Sequence, residues 1–366
     1  MGIFPKDRDL TEVLEQVELV VRGSDLRQRT DEVNIRLDTF LHHHLSWRSR
    51  ASIQRLIKDG YVLVDRVSPE LPVLPGGGSG RLEKTFRSGM RMRHGFRVIV
   101  IVPEELRIPA GKLDHEELRI LYEDEAILAV DKPPFQPVHP SGRHMTDTLI
   151  QMVHARYRAL GVEVDRKRAP IRLCHRIDRE TSGVILVGKG DRNHSRVMLQ
   201  FENRQVEKEY LAIVRGHPSK DSGRIDQPIG PDRGGEIRLK MVVCEGGLES
   251  QTNWTVLERR LIEGYGPVAL VSCRPRTGRQ HQIRVHMDAI GHPLVGDKLY
   301  GVDASYFLRA AAGELDGIDL RRLGLPRHAL HAHRLVWTCP LEGVKREVLA
   351  PLAPDLRMFL GSGELL

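Results

Sequence analysis

The sequence predicts an α+β protein in two parts: a small helix-led unit, then a larger mixed domain built on a sheet. Three observations carry this. At 366 residues the chain is too long for one average domain. Apolar residues recur at helical spacing between about 31 and 60. From Arg119 to about Leu360, short runs of Val, Ile and Leu alternate with turns, and helical segments sit between them. Hydrophobic residues make up 40% of the chain, enough for a sizeable core.

Residues 1–30 are charged, with one short apolar patch from Val17 to Val21. They read as a loosely attached extension with room for one strand. From Asp31, Leu37, Phe40, Leu41 and Leu45 share one helical face. A second helix is expected to start after Ser49, a good N-cap, and to stop at Gly60, with Ile53, Leu56 and Ile57 turned inward. Arg48, Arg50, Arg55 and Lys58 fall near its start or away from that apolar face. YVLVD (61–65) and FRVIVIVP (96–103) read as strands. Between them, LPVLPGGGSG (71–80) is a loop that lacks the Gly-Lys-Ser/Thr ending of a phosphate-cradling loop.

The two basic helices and following strands resemble the αL RNA-binding motif of the S-four type, carried by RLDTFLHHHLSWRSRASIQRLIKDGYVLVD (36–65). That resemblance makes residues 31–104 an RNA-binding domain, with the glycine-rich insertion as its departure from the pattern. Arg48, Arg50, Arg55 and Lys58 are then its phosphate contacts. Residues 105–118 read as a linker and 119–360 as the second domain. In that domain AILAVDKP, GVILVGK, YLAIVRG and PVALVSCRP read as strands, and 147–160 and 191–203 as helices.

The net charge of +7 suits a polyanionic partner. Four cysteines, none in a C-x-x-C pair, offer no zinc signature and suit a reducing compartment. The N-terminus lacks a basic stretch followed by an apolar run, and no stretch approaches about 18 apolar residues. The expected location is the cytoplasm, without membrane attachment. His42, His43 and His44 are consecutive, so on a helix they do not converge on one metal; a solvated face or a partial RNA contact is expected. Neither a metal nor a cofactor site is expected.

The chemistry centres on HRIDRETSGVILVGK (175–189). Asp178 sits between Arg176 and Arg179 in a turn, with Thr181, Ser182 and Gly183 leading into a strand. A carboxylate among guanidinium groups is stabilised as the anion and can act as nucleophile or base. A structural aspartate that caps the turn is the competing reading, and the local pattern alone favours it.

Five further strings, in order, shift that balance. They are ILYEDEAILAVDKPPFQPVHPSG, EKEYLAIVRG, PRTGRQHQIRVHM, GHPLVGDKLYG and HALHA. Together with HRIDRETSG, where Ile177 replaces a more usual Leu, they resemble the RluA family of RNA pseudouridine synthases over most of 119–350. The resemblance implies a large mixed, mainly antiparallel sheet with a central cleft, and cofactor-independent isomerisation of uridine to pseudouridine in RNA. It implies that Asp178 is the essential aspartate, that Tyr210 stacks on the target base and assists proton removal, and that Arg284 pairs with Asp178. The competing readings are a core aromatic for Tyr210 and a surface arginine on a strand for Arg284. Arg176 matches a residue that enters the RNA helix where the base has left, and His175, Arg179 and Arg279 are further RNA contacts. The expected substrate is RNA, large-subunit ribosomal RNA ahead of transfer RNA, with the chain acting as a monomer. An RNA-binding assembly factor without turnover and a glycosidase releasing uracil are the alternatives. The segment 302–326 is expected to be a helical surface insertion or an RNA-specificity element.

Overall fold

The structure, a computed structural model, describes residues 10, 13, 15–26, 29–45, 49–66, 82–104, 107, 118–140, 147–162, 171–361 and 363–365. Arg48, the glycine-rich loop 71–80 and most of the linker 105–118 lie outside the described residues. The chain divides into two compact units, Met1–Leu113 with His139–Ala169, and Asp114–Val138 with Pro170–Leu366.

In the first unit, four strands form an antiparallel sheet in the order Gln16–Val20, Arg97–Ile101, Val62–Asp65, Leu82–Lys84. The strand expected near residues 17–21 is present at Gln16–Val20, and its full pairing means that it is not loosely attached. Its alternation buries Val17 and Leu19 while Glu18 faces out, and Arg97–Ile101 supplies a complete hydrogen-bonding partner. Helices Leu37–His44 and Arg50–Lys58 pack Leu37, Phe40, Leu41, Ile53, Leu56 and Ile57 into the same core as Val62 and Val98. The Ser49 hydroxyl accepts from the Ser52 N–H, as the N-cap reading predicts, and Gly60 follows with φ +78°. Arg50, Arg55 and Lys58 are exposed. The histidine run is not all solvated: His44 is buried against Phe40, with ring centroids 4.5 Å apart. A further helix, Leu149–Ala159, stands where the sequence predicts 147–160.

The second unit is built on a large sheet, mixed and mainly antiparallel as expected. Its strand order is Ser222–Asp226, Gln251–Ile262, Gly266–Pro275, Glu207–Arg215, Leu330–Thr338, Ser182–Lys189, Ile127–Lys132, Ile120–Glu123. The pairing at its centre, between Ser182–Lys189 and Leu330–Thr338, is parallel. It explains the glycine of the TSG string. Gly183 has φ +106°, and a Cβ there would lie 2.2 Å from the Ala332 carbonyl oxygen. Helix Asp191–Glu202 packs Val197 and Phe201 near Trp337, and helix Gln282–Ala289 packs Ile283 and Met287 against Val214 and Val271. The 302–326 insertion is helical, with Ala304–Ala312 capped by Asp303 and Gly317–Leu323 capped by Asp316. Leu323 and Leu325 anchor its end in the core.

Candidate active site

Asp178 lies in the turn that precedes the central strand Ser182–Lys189, closed by a Thr181 N–H to Asp178 C=O bond of 3.1 Å. Almost every residue after it is pinned. The Lys132 ammonium donates to the Arg179 carbonyl at 2.9 Å, and also to the Pro133 and Gln136 carbonyls. Arg327 donates to the Glu180 carbonyl, while Lys298 and the His328 N–H hold the Glu180 carboxylate. Thr181 meets His328 at 2.7 Å and Ser182 meets His331 at 2.9 Å. A turn held at so many points presents its carboxylate without further ordering, which is what a reacting group requires.

The carboxylate itself is 29% exposed, and one oxygen accepts from Arg284 at 2.9 Å. Arg284 lies in helix Gln282–Ala289, not on an exposed strand, and is only 7% exposed. Its other edge forms a fork with Asp297, at 2.7 and 2.9 Å. Asp297 is fully buried and also accepts from the Leu299 and Tyr300 N–H groups. Burial opposes the charge on Arg284, but Asp297 first and Asp178 after it outweigh that and raise its pKa. The guanidinium is thus a permanent charge clamped between two carboxylates.

Tyr210, on strand Glu207–Arg215, lines the same cleft as Asp178, Arg284, Arg176 and Arg279. The cleft is open to solvent. Burial, then the nearby Asp178, pushes the Tyr210 phenol up to about 12, so it remains protonated at neutral pH. Lys208, two residues earlier on the strand, donates to the Thr277 carbonyl at 3.1 Å. It also lines an adjoining groove with Arg204, Arg274, Arg276 and Arg334, several of them paired with Glu249, Glu209 or Glu207.

The sequence-predicted residues divide accordingly. Asp178, Tyr210, Arg284, Arg176 and Arg279 converge on one cleft, and Arg176 is exposed beside it. Arg179 is exposed but is not among the cleft's lining residues. His175, expected as an RNA contact, is half-buried and engaged by the fold. Its Nε2 accepts the Leu186 N–H at 3.0 Å, its ring stacks on Phe201, and burial pushes its pKa down to about 3. Sequence reasoning assigned no role to Lys132, His281, Asp297 or Tyr300. All four fall inside the quoted strings, which was the available signal.

Comparison with known proteins agrees with this arrangement. A family model described as RNA pseudouridylate synthase matches residues 126–289. A Bacillus subtilis (strain 168) protein described as an uncharacterized RNA pseudouridine synthase is 34% identical over 334 residues, covering 91% of this chain and 95% of that protein. The ribosomal large subunit pseudouridine synthase D of Pseudomonas aeruginosa PAO1 is 34% identical over 342 residues, 92% of this chain and 96% of its own length. Among solved structures, human RNA pseudouridylate synthase domain containing 1 superposes with a TM-score of 0.53 at 30% identity, covering 69% of this chain and 90% of that one.

Proposed function

We propose that this chain, which belongs to the RNA pseudouridylate synthase family and converts uridine in RNA to pseudouridine, does so with Asp178 as its reacting carboxylate and large-subunit ribosomal RNA as its substrate. The observation that carries the first part is the 2.9 Å contact from Arg284 to Asp178, at the edge of a cleft that Tyr210 also lines. Pseudouridine formation breaks the bond between uracil N1 and ribose C1′ and joins C1′ to uracil C5. Asp178 either attacks C1′ or removes a neighbouring ribose proton; its partial exposure leaves room for both routes. The Asp297–Arg284 fork holds the guanidinium so that its remaining N–H groups aim the carboxylate at the sugar.

The target base must leave its stack, at a cost of a few kcal/mol. Tyr210 offers a stacking face worth about 1–3 kcal/mol. Its raised pKa favours that role over proton removal as a phenolate. Arg176, exposed at the rim, is suited to the place the base vacates. The arginines of the adjoining groove and the exposed Arg50, Arg55 and Lys58 of the first unit supply phosphate contacts.

Ribosomal RNA is favoured over transfer RNA by the similarity to the Pseudomonas aeruginosa protein described as a ribosomal large subunit pseudouridine synthase. The four free thiols suit a reducing, cytoplasmic setting. Pseudouridine mapping of total RNA, in cells with and without this chain, tests the substrate. Loss of modification at large-subunit ribosomal sites is expected; loss confined to transfer RNA would overturn that assignment.

A further inference from the structure

His281 stands beside the reacting carboxylate in a backbone conformation that is uncommon outside glycine. Its φ of +57° and ψ of +15° are left-handed, a region used mainly by Gly and, among other residues, by Asn, Asp and His. It also occupies the N-cap of helix Gln282–Ala289, yet its side chain makes no capping bond. The left-handed backbone admits histidine without requiring it, and the N-cap position does not select it. Residues held in such conformations gather at functional sites, and the ring has a defined place here.

The ring Nδ1 lies 3.0 Å from the Tyr300 hydroxyl. That hydroxyl already accepts the Met241 N–H at 3.1 Å, a group that only donates. A phenol oxygen can accept twice but carries one hydrogen; donation to Nδ1 gives that hydrogen an acceptor and leaves the ring proton on Nε2. Nε2 lies 3.9 Å from the Asp178 carboxylate, too far for a hydrogen bond, and His281 lines the cleft. Among the described residues no acceptor engages this N–H, so it is a donor aimed into the space where the target nucleotide must sit. Burial, then Arg284, pushes the imidazole down to about 4 against the opposing pull of Asp178 and Asp297, so the ring is uncharged at pH 7.

We infer that His281 is a further catalytic group, an imidazole whose Nε2–H, set in that tautomer by the Tyr300 hydroxyl, donates to a carbonyl oxygen of the uracil as it detaches. When the N1–C1′ bond breaks, the bonding pair leaves with the base, and the negative charge spreads over N1 and the two carbonyl oxygens. A fixed donor to one of those oxygens strengthens as that charge builds. The ring gives up no proton, so it adds nothing to the bond accounting. Being uncharged, it does not compete with the base for the Asp178 carboxylate as a second cation would. This inference rests on the assignment of Asp178 above.

Two measurements on the full chain test it. The first compares three substitutions by single-turnover rate and by RNA dissociation constant. The substrate is whichever unmodified transcript, ribosomal or transfer, the unaltered chain converts fastest. Gln places an N–H near the Nε2 position. Asn suits the left-handed backbone and reaches toward Tyr300, but presents nothing to the cleft. Gly relieves the backbone and removes the side chain. The expected order is a loss of less than tenfold for His281→Gln and about 10²-fold for His281→Asn and His281→Gly, with dissociation constants little changed. A purely structural role predicts the reverse, with Asn and Gly tolerated and Gln impaired, and that result would overturn the inference. The second measurement is the ¹⁵N spectrum of histidine-labelled chain, in which His281 is expected as the Nε2–H tautomer. A proton on Nδ1 would sink the proposal even if the unaltered chain converted neither transcript, a result that would separately count against the isomerase assignment.

Discussion

Arg284 and Arg55 are both arginines on short helices, and their surroundings are opposite. Arg284 is 7% exposed, makes three hydrogen bonds of 2.9 Å or less to Asp178 and Asp297, and has no freedom to follow a ligand. Arg55 stands on the solvent side of its helix, opposite Ile53, Leu56 and Ile57. A charge that aims a reacting group must be desolvated and fixed, because its value lies in not having to reorganise. A charge that captures a polyanion must stay solvated and adaptable, because its value lies in releasing counterions. The difference teaches that the +7 of the chain cannot be read as a uniform reservoir. Arg284 is a fixed part of the second unit's site, whereas Arg50, Arg55 and Lys58 of the first unit stand on its surface.

The sharpest way to break this comparison is at the carboxylate itself. Asp178→Asn preserves shape and the contact to Arg284 but removes the charge; turnover is expected to fall at least about 10³-fold while RNA affinity changes little. Turnover near that of the unaltered chain would refute the site. Next comes the anchor. Asp297→Asn leaves Arg284 buried without its forked partner, and unfolding by denaturant should show a loss of about 3 kcal/mol. If stability is unchanged, the clamp is ornamental and Arg284 resembles Arg55 after all.

Acid should also act on the second unit. His331 is 1% exposed, bonds Ser182 and the Ala350 carbonyl, and is pushed by burial from 6.5 down to about 4. The unfolded chain takes up a proton below the ordinary imidazole value that the folded ring refuses until about 4. Stability is therefore present above that range and lost as pH falls through it, on the order of 2 kcal/mol by pH 5. Denaturant midpoints measured from pH 7.5 to 4.5 should fall accordingly, and the slope should flatten in His331→Gln. The smallest effect belongs to the surface. In Arg55→Gln/Lys58→Gln, RNA binding should weaken a few-fold and the logarithmic salt slope should decrease by about 2, with the saturated rate unchanged. A reduced saturated rate would mean that these side chains serve more than capture.

Local chemistry determined a good deal of this molecule. Helical spacing of Ile53, Leu56 and Ile57 after a Ser49 cap marked the helix Arg50–Lys58 to within two residues of its end. Runs of β-branched residues marked the strands Val62–Asp65, Ser182–Lys189 and Glu207–Arg215. The ordered strings from Ile120 to Ala332 singled out Asp178, Tyr210 and Arg284 before any contact among them was visible. What the tertiary structure alone decided is which charges meet. Asp178 and Arg284 are 106 residues apart, and Glu180 and Lys298 are 118 apart. No periodicity of 2 or 3.6 reaches over such distances; strand order in the sheet brings them together. The same reason accounts for the misread residues. His175 is engaged inward because it accepts the Leu186 N–H, and the strand at Val17, though expected, is tied into a sheet only because Arg97–Ile101 comes to lie beside it. Side-chain periodicity is written locally along the chain, whereas desolvation and pairing are set by whichever distant segment arrives.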